Sequence, residues 1–299
     1  MSNNDRVLVT GSSGFFGRNM VKYLNKNGIK TVGIDIIPRS TTNEIVDISG
    51  RAMLNTLFNK YSDITSVIHF AAQPNPAKSE KDPVTDAIVN IIGTVNIIES
   101  MVRHGVSNLT MISSIAALNP LSNYGVSKLS AEQYVLKYTR RGFIEGKIAR
   151  ISSMYGEDRW NNGWRGPVNI FLYQGLSDKK ITVFGEGRIH RDFTYIRDGV
   201  EAIRIISERG RAGHSYDVGC GRTLSIAEVA ETISWLTGQS ILYVGREEEY
   251  AVDHPKSDIA PLLRLGYVPK FDTFNGIRAV YEYMSWLKVN GLLDIPPIF

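Results

Sequence analysis

Read for hydrophobicity alone, the first half of the chain alternates short unbroken apolar runs with longer stretches whose apolar residues recur every three or four positions. The runs at 6–10, 31–34, 44–46, 66–70, 109–113 and 147–151 predict buried strands, the fourth ending at Ala71-Ala72. Between the first two, Phe16, Met20, Val21 and Leu24 predict a helix over 15–27 that stops at Gly28. A long helix is expected from about 83 to 104, with Pro83 suited to its first turn and Gly105 to its end. Another runs from about 124 to 141 and stops at Gly142. Strands alternating with helices in this order predict an α/β fold in which helices wrap a parallel sheet.

After Tyr155 the texture changes. The stretch "GEDRWNNGWRGP" is rich in Gly, Asn and Trp and reads as an irregular loop able to close over a ligand. Shorter elements follow: a helix at 167–177, a strand at 181–184, a strand and helix across 192–209, a helix at 225–237, a strand at 241–244 and a last helix near 274–290. These predict a smaller, mixed α/β lobe.

Composition narrows the class. The chain has 299 residues, 43% hydrophobic and 21% charged, which fits a soluble globular protein large enough for one big domain or two small ones. The start, Met1-Ser2-Asn3-Asn4-Asp5-Arg6, lacks the pattern of a signal peptide. Even the apolar stretch 89–98 is broken by Asn90, Gly93, Thr94 and Asn96, so no membrane span is expected. The single cysteine, Cys220, excludes an intramolecular disulfide and fits a reducing cytoplasm, the expected location. A net charge of +4 with scattered basic residues gives no footprint for nucleic acid.

Chemistry enters with "VLVTGSSGFFG". Gly11, Gly14 and Gly17 follow a strand and open a helix, where backbone must pass close to a pyrophosphate and the helix N-terminus favours an anion. Phe15 and Phe16 belong to the same loop. Asp35, with Ile36 beside it, ends the next strand; a carboxylate there holds the adenosine ribose hydroxyls and repels a 2′-phosphate. NAD is therefore expected over NADP, although Arg39 would tolerate a phosphate. Asp47 and Ile48 either reach the adenine edge or form an ordinary strand end. The fold expected is a Rossmann-type doubly wound parallel sheet with a smaller mixed α/β substrate-binding lobe. The dinucleotide-binding domain is 1–155, with 190–209 returning to it, and the lobe is 156–189 and 210–299. The catalytic cleft is expected between them.

"NYGVSK" places Tyr124 and Lys128 one helical turn apart on one face. A cation beside a phenol, which normally titrates near ~10, favours the phenolate and would make it a general base. Alone, the spacing is weak. Read in order with the glycine loop, Asp35, "HFAAQ" at 69–73, Asn90, Ser113-Ser114, "RISSMYG" at 150–156, "VFGEGRIHRDFTYIRDGVEAI" at 183–203, "YDVGCG" at 216–221 and "LGYVP" at 265–269, it makes a consistent set. On these segments the chain resembles the extended short-chain dehydrogenase/reductases, and is similar to their nucleotide-sugar epimerase/dehydratase branch over almost its whole length.

That resemblance implies a Ser–Tyr–Lys triad at Ser114, Tyr124 and Lys128. Tyr124 would take a proton from a sugar hydroxyl, Ser114 would hold that oxygen, and Lys128 would bind the nicotinamide ribose and stabilise the phenolate. One of Ser113 and Ser114 is the catalytic hydroxyl and the other contacts cofactor. Ala71, Ala72 and Gln73 would line the dinucleotide. Asn90 either supports the strand ends or makes a local helix hydrogen bond. His69 is expected to be a packed strand residue, and no metal is expected.

Departures from the family pattern narrow the reaction. Ile115-Ala116 stand where dehydrating members carry an Asp-Glu pair, which argues against a 4,6-dehydratase. Cys220 is a poor extra acid/base for 3,5-epimerisation. Only ten positions separate Ser114 from Tyr124, a short connection that leaves room beside the sugar. The expected activity is an NAD-dependent 4-epimerase of a nucleotide-diphosphate sugar, a UDP-hexose, through a transient 4-keto intermediate. The alternative is an NAD(P)H-dependent reductase of a nucleotide 4-keto-6-deoxysugar. A non-catalytic dinucleotide sensor would usually lack the Tyr or the Lys, and this chain keeps both. The resemblance places Arg191 and Arg246 on the diphosphate and its ribose, Val183 and Phe184 at the nucleobase, and Ser153 at the sugar phosphate, where relatives commonly have Asn. Trp160 and Trp164 either cover the ligand or pin their loop. Relatives commonly dimerise through the helices at about 83–104 and 124–141. Ile88, Ile92, Val95, Ile98, Val135 and Leu136 would then either meet a second copy or cover their own sheet.

Overall fold

The apolar runs of the first half become strands of one sheet. The structure, a computed structural model, describes residues 6–157, 166–245 and 256–293. The chain divides into two units: unit 1 holds Met1–Ile151, Val200–Asp217 and Ala260–Tyr267, and unit 2 holds Ser152–Gly199, Val218–Ile259 and Val268–Phe299.

In unit 1 the chain runs β1 (Arg6–Thr10), α1 (Phe15–Lys26), β2 (Lys30–Asp35), β3 (Glu44–Ile45), α2 (Arg51–Lys60), β4 (Ile64–His69), α3 (Pro76–Lys81) and α4 (Pro83–Ala87). A π-helical turn, Ile88–Ile92, leads into α5 (Gly93–Arg103), followed by β5 (Asn108–Ser114), α6 (Asn123–Arg140) and β6 (Glu145–Ile151). Counting β11 (Ser215–Val218), seven strands stand in the order β11-β6-β5-β4-β1-β2-β3. The pairings from β6 through to β3 are all parallel. Parallel strands covered on both faces need apolar side chains throughout, and Val7, Leu8 and Val9 are all fully buried.

Beyond the short helix Ala260–Arg264 and the short strands of unit 2, four features depart from the sequence expectation. Helix α2 was not foreseen: Leu54, Leu57 and Phe58 are its only buried residues, too few to stand out among Arg51, Asn55, Asn59 and Lys60. Helix α3 is also additional. The expected helix over 83–104 is α4, the π turn and α5 in succession; the wider i→i+5 hydrogen bonding of the π turn is a backbone feature that apolar spacing does not reveal. Strand β11 adds a seventh member to the sheet. The segment Pro83–Arg103 reaches the length and hydropathy of a membrane span, yet Ile97, Ile98 and Met101 are buried in the unit 1 core.

Unit 2 is built from β7 (Ser153–Tyr155), α7 (Pro167–Leu176), β8 (Ile181–Phe184), β9 (His190–Arg191) and β10 (Phe193–Tyr195), then β12 (Leu224–Ser225), α9 (Ile226–Thr237), β13 (Ile241–Val244) and α11 (Thr273–Val289). Helix α8 (Ile196–Arg209) starts in unit 2 and continues in unit 1, and α10 (Ala260–Arg264) belongs to unit 1. Among the described residues the strands of unit 2 pair in twos: β10 with β7, β12 with β9, and β13 with β8. Ser225 and Glu228 form a reciprocal capping box at the start of α9, and Gly238 closes its end in the left-handed conformation.

Candidate active site

The strand order reverses between β1 and β4, and in open parallel sheets the carboxyl ends flanking that reversal receive the ligand. The β1–α1 turn is tight enough to require glycine. Gly11 has φ +69°, and a Cβ there would lie 2.7 Å from the Ala71 nitrogen; a Cβ on Gly17 would lie 2.1 Å from the Gly11 carbonyl oxygen. No side chain caps the N-terminus of α1. Asp35 ends β2 and accepts hydrogen bonds from the Ser13 and Ile37 backbone N–H groups, both at 3.0 Å. Its carboxylate is thus fixed beside the turn with lone pairs left for two hydroxyls. Ile36 is exposed, Phe15 is buried, and the half-buried Phe16 meets the Phe15 ring edge-on. Asp47 is exposed and accepts from the Ser49 N–H at 2.8 Å, and Ile48 packs into the core against Gly93.

Ala71, Ala72 and Gln73, half-buried, leave β4 beside the glycine turn. The Ala71 N–H donates to Thr10 Oγ1 at 3.0 Å and the Gln73 N–H to Asn90 Oδ1 at 2.8 Å. Thr10 Oγ1 lies 2.7 Å from His69 Nδ1, and Thr94 Oγ1 lies 3.0 Å from Nε2. His69 is therefore a satisfied core residue; burial and then the nearby Lys128 charge push its pKa down to about 3. Asn90 sits in the π turn, with Nδ2 3.0 Å from Ser127 Oγ and 2.9 Å from Asp86 Oδ1, so it joins the exit of β4 to α6.

The two serines at the end of β5 have different partners. Ser113 is buried and donates to Glu132 Oε1 at 2.6 Å. Ser114 Oγ accepts from the Ala116 N–H at 3.2 Å, and its hydroxyl is the one that acts on Tyr124 to lower the phenol's pKa. Helix α6 is capped by Ser122, which accepts from the Gly125 N–H at 3.1 Å. Gly125 is itself required, since a Cβ would lie 2.8 Å from the Ala116 carbonyl oxygen; the short connection after Ser114 thus packs directly on the first turn of α6. Lys128 is buried and donates to the Ile112 carbonyl at 2.6 Å.

On their own, these side chains hold Tyr124 and Lys128 away from their ordinary values. Burial, offset by the Ser114 hydrogen bond and reinforced by the Asp86 charge, pushes Tyr124 up to about 12. Burial also pushes Lys128 down to about 8, against the pull of Glu132 and Asp86. Desolvation thus works against the charged form of both side chains.

Three charged residues at this site escaped the sequence reading: Asp86, Glu132 and Arg150. Glu132 is fully buried and takes a two-pronged bond from Arg150, at 2.9 Å and 2.6 Å. One signal was available, since Tyr124, Lys128 and Glu132 repeat at intervals of four on one helix face.

Unit 2 contains a mostly apolar cavity of about 580 Å3 lined by Ser153, Phe171, Thr182, Phe184, Arg191 and Phe193, among others. Val183 is not part of it. Alternation along β8 turns Thr182 and Phe184 toward the cavity and buries Val183 completely on the other side. Arg246, Trp160 and Trp164 lie outside the described residues. The Cys220 thiol is pushed up to about 11 by burial and the Asp192 charge, so it is inert at neutral pH.

The sequence profile of the NAD dependent epimerase/dehydratase family matches residues 7–219. The chain belongs to that family. It is an NAD-dependent enzyme of the extended short-chain dehydrogenase/reductase type, and the glycine turn with the tethered Asp35 forms a cradle that fits the dinucleotide. It is 30% identical to a putative UDP-glucose 4-epimerase of Methanocaldococcus jannaschii, over 95% of this chain and 99% of that one. It is 26% identical to the dTDP-4-dehydro-6-deoxyglucose reductase of Escherichia coli, over 77% of this chain and 81% of the reductase. Among solved structures, the Thermotoga maritima UDP-glucose 4-epimerase with UDP-glucose superposes with a TM-score of 0.86 at 26% identity, covering 93% of this chain and 98% of that one.

Proposed function

We propose that this family member is a 4-epimerase of a nucleotide-diphosphate hexose, with a UDP-hexose as substrate, working through a transient 4-keto sugar. The observation that carries this reading is local: after Ser114, on the way to Tyr124 and Lys128, the next residues are the buried Ile115, Ala116 and the buried Ala117, none of them ionisable. Nothing at that position moves a second proton, as elimination of water across C5 and C6 requires. Epimerisation at C4 needs only one proton and one hydride. When bound, NAD supplies the hydride acceptor and a positive ring that favours the phenolate. Tyr124 takes the proton from the 4-hydroxyl and later returns it. Ser114 holds that oxygen in line, and Lys128, anchored on the Ile112 carbonyl, presents its remaining N–H groups to the ribose and the phenol.

Unit 1 is the dinucleotide-binding domain in this reading, and unit 2 takes the nucleotide half of the substrate. In its cavity Arg191 faces the diphosphate, Thr182 and Phe184 face the base, and Ser153 faces the sugar phosphate. A homodimer through α4–α5 and α6 is supported by the exposure of Val84, Ile88, Ile92 and Val126; Ile98 and Val135 instead cover their own sheet, and Val95 and Leu136 are half-buried.

The deciding experiment incubates the purified protein with UDP-, dTDP-, GDP- and CDP-sugars and no added cofactor. Interconversion of C4 epimers is expected. A strict requirement for added NADPH would replace this reading with the 4-keto reductase.

A further inference from the structure

Two buried carboxylates, Asp86 and Glu132, flank Lys128, and they are not equivalent. Glu132 shares its charge with the Arg150 guanidinium at 2.6 Å. Asp86, 1% exposed, has only neutral partners among its described hydrogen bonds: Ser79 Oγ donates to its Oδ1 at 2.6 Å and Asn90 Nδ2 at 2.9 Å. The same Asn90 nitrogen lies 3.0 Å from Ser127 Oγ, and Ser127 donates to the Tyr124 carbonyl at 3.0 Å. Asp86 is thus tied, through two side chains, to the turn of α6 that carries Tyr124 and Lys128. Burying a carboxylate with no cation of its own is costly, and the cost is recovered when a positive group faces it.

We propose that Asp86 is a positioning residue of the triad: its uncompensated carboxylate, bonded through Asn90 and Ser127 to α6, sets the proton occupancy of Tyr124 and Lys128. This rests on reading those two residues as the acid–base pair. Glu132 on α6 is matched by Arg150 on β6, and His69 on β4 stays neutral. Glu80 on α3 is engaged by the Asn123 N–H at 2.8 Å and the Asn123 side chain at 2.9 Å. Strand β5 contributes only Ser113 and Ser114. A negative charge at Asp86 keeps the ammonium protonated, and the same charge disfavours the phenolate.

The test is Asp86→Asn, which keeps an acceptor for Ser79 and Asn90 while removing the charge. Lys128 is followed by NMR of lysine labelled with 13C at Cε, its resonance identified by its loss in Lys128→Arg. The Lys128 midpoint, about 8 in the native chain, is expected to fall by roughly half a unit or more in Asp86→Asn, and to stay near its native value in Asp86→Glu. The acid limb of the turnover pH profile should move the same way, roughly threefold in rate on that limb. A midpoint unmoved in folded Asp86→Asn would overturn the proposal and leave Asp86 a merely structural residue. If Asp86→Asn does not fold, Asp86→Ser carries the same expectation. The titration needs no substrate, so it stands or falls separately from the 4-epimerase reading.

Discussion

The cofactor cradle of unit 1 and the cavity of unit 2 are built on opposite principles. The cradle is made of backbone: three glycines, a helix N-terminus without a side-chain cap and one carboxylate tethered by two N–H groups. The cavity is made of side chains drawn from β7, α7, β8, β9, β10 and the start of α9, with Arg191 the only charged one among the described residues that line it. A backbone site tolerates almost no change in shape, because a single Cβ fills it. A side-chain site can be resized one residue at a time, which suits the part of the enzyme that must select a substrate.

Four substitutions or conditions sharpen that contrast. Tyr124→Phe removes the proton acceptor and should lower turnover by roughly a thousandfold while leaving dinucleotide binding intact, read by steady-state kinetics beside cofactor titration. Gly17→Ala drives a Cβ to 2.1 Å from the Gly11 carbonyl oxygen and should cost about 3 kcal/mol of stability, or cofactor affinity to match, in denaturant and binding measurements. His69 tests the strand that supports the cradle. Its folded pKa of about 3 lies below the ordinary 6.5, so the unfolded chain binds its proton first and stability falls as pH drops through that window. The loss should reach about 2 kcal/mol by pH ~5, and His69→Asn should flatten that slope in denaturant melts. The smallest effect belongs to the cavity: Phe184→Ala should raise KM for the nucleotide sugar about tenfold with kcat little changed. Equal losses from Gly17→Ala and Phe184→Ala would break the comparison.

The same contrast decides what could be read in advance. The strands at 6–10, 181–184 and 241–244 are the observed β1, β8 and β13 to the residue, because a continuous apolar run between turn formers has few other uses. The glycine turn and Asp35 were legible because their spacing is local. What escaped was set by contacts distant in sequence. The Arg150–Glu132 pair spans 18 positions, and α2 buries too few residues to print a pattern. The facing of β8 is fixed by packing, which is why Thr182 and not Val183 lines the cavity. The environment of the phenol was illegible for a related reason: the spacing of Tyr124 and Lys128 can be counted from the sequence, but the desolvation that raises the one and lowers the other cannot.

The most direct test of a single proton and a single hydride exchanged at one carbon uses a UDP-hexose carrying deuterium on C4, incubated with the protein and no added nucleotide. Mass spectrometry of the epimerised product should find the deuterium still on C4, since the hydride that leaves is the one that returns. Exchange of the label for solvent hydrogen, or equally fast epimerisation by Tyr124→Phe, would contradict the account.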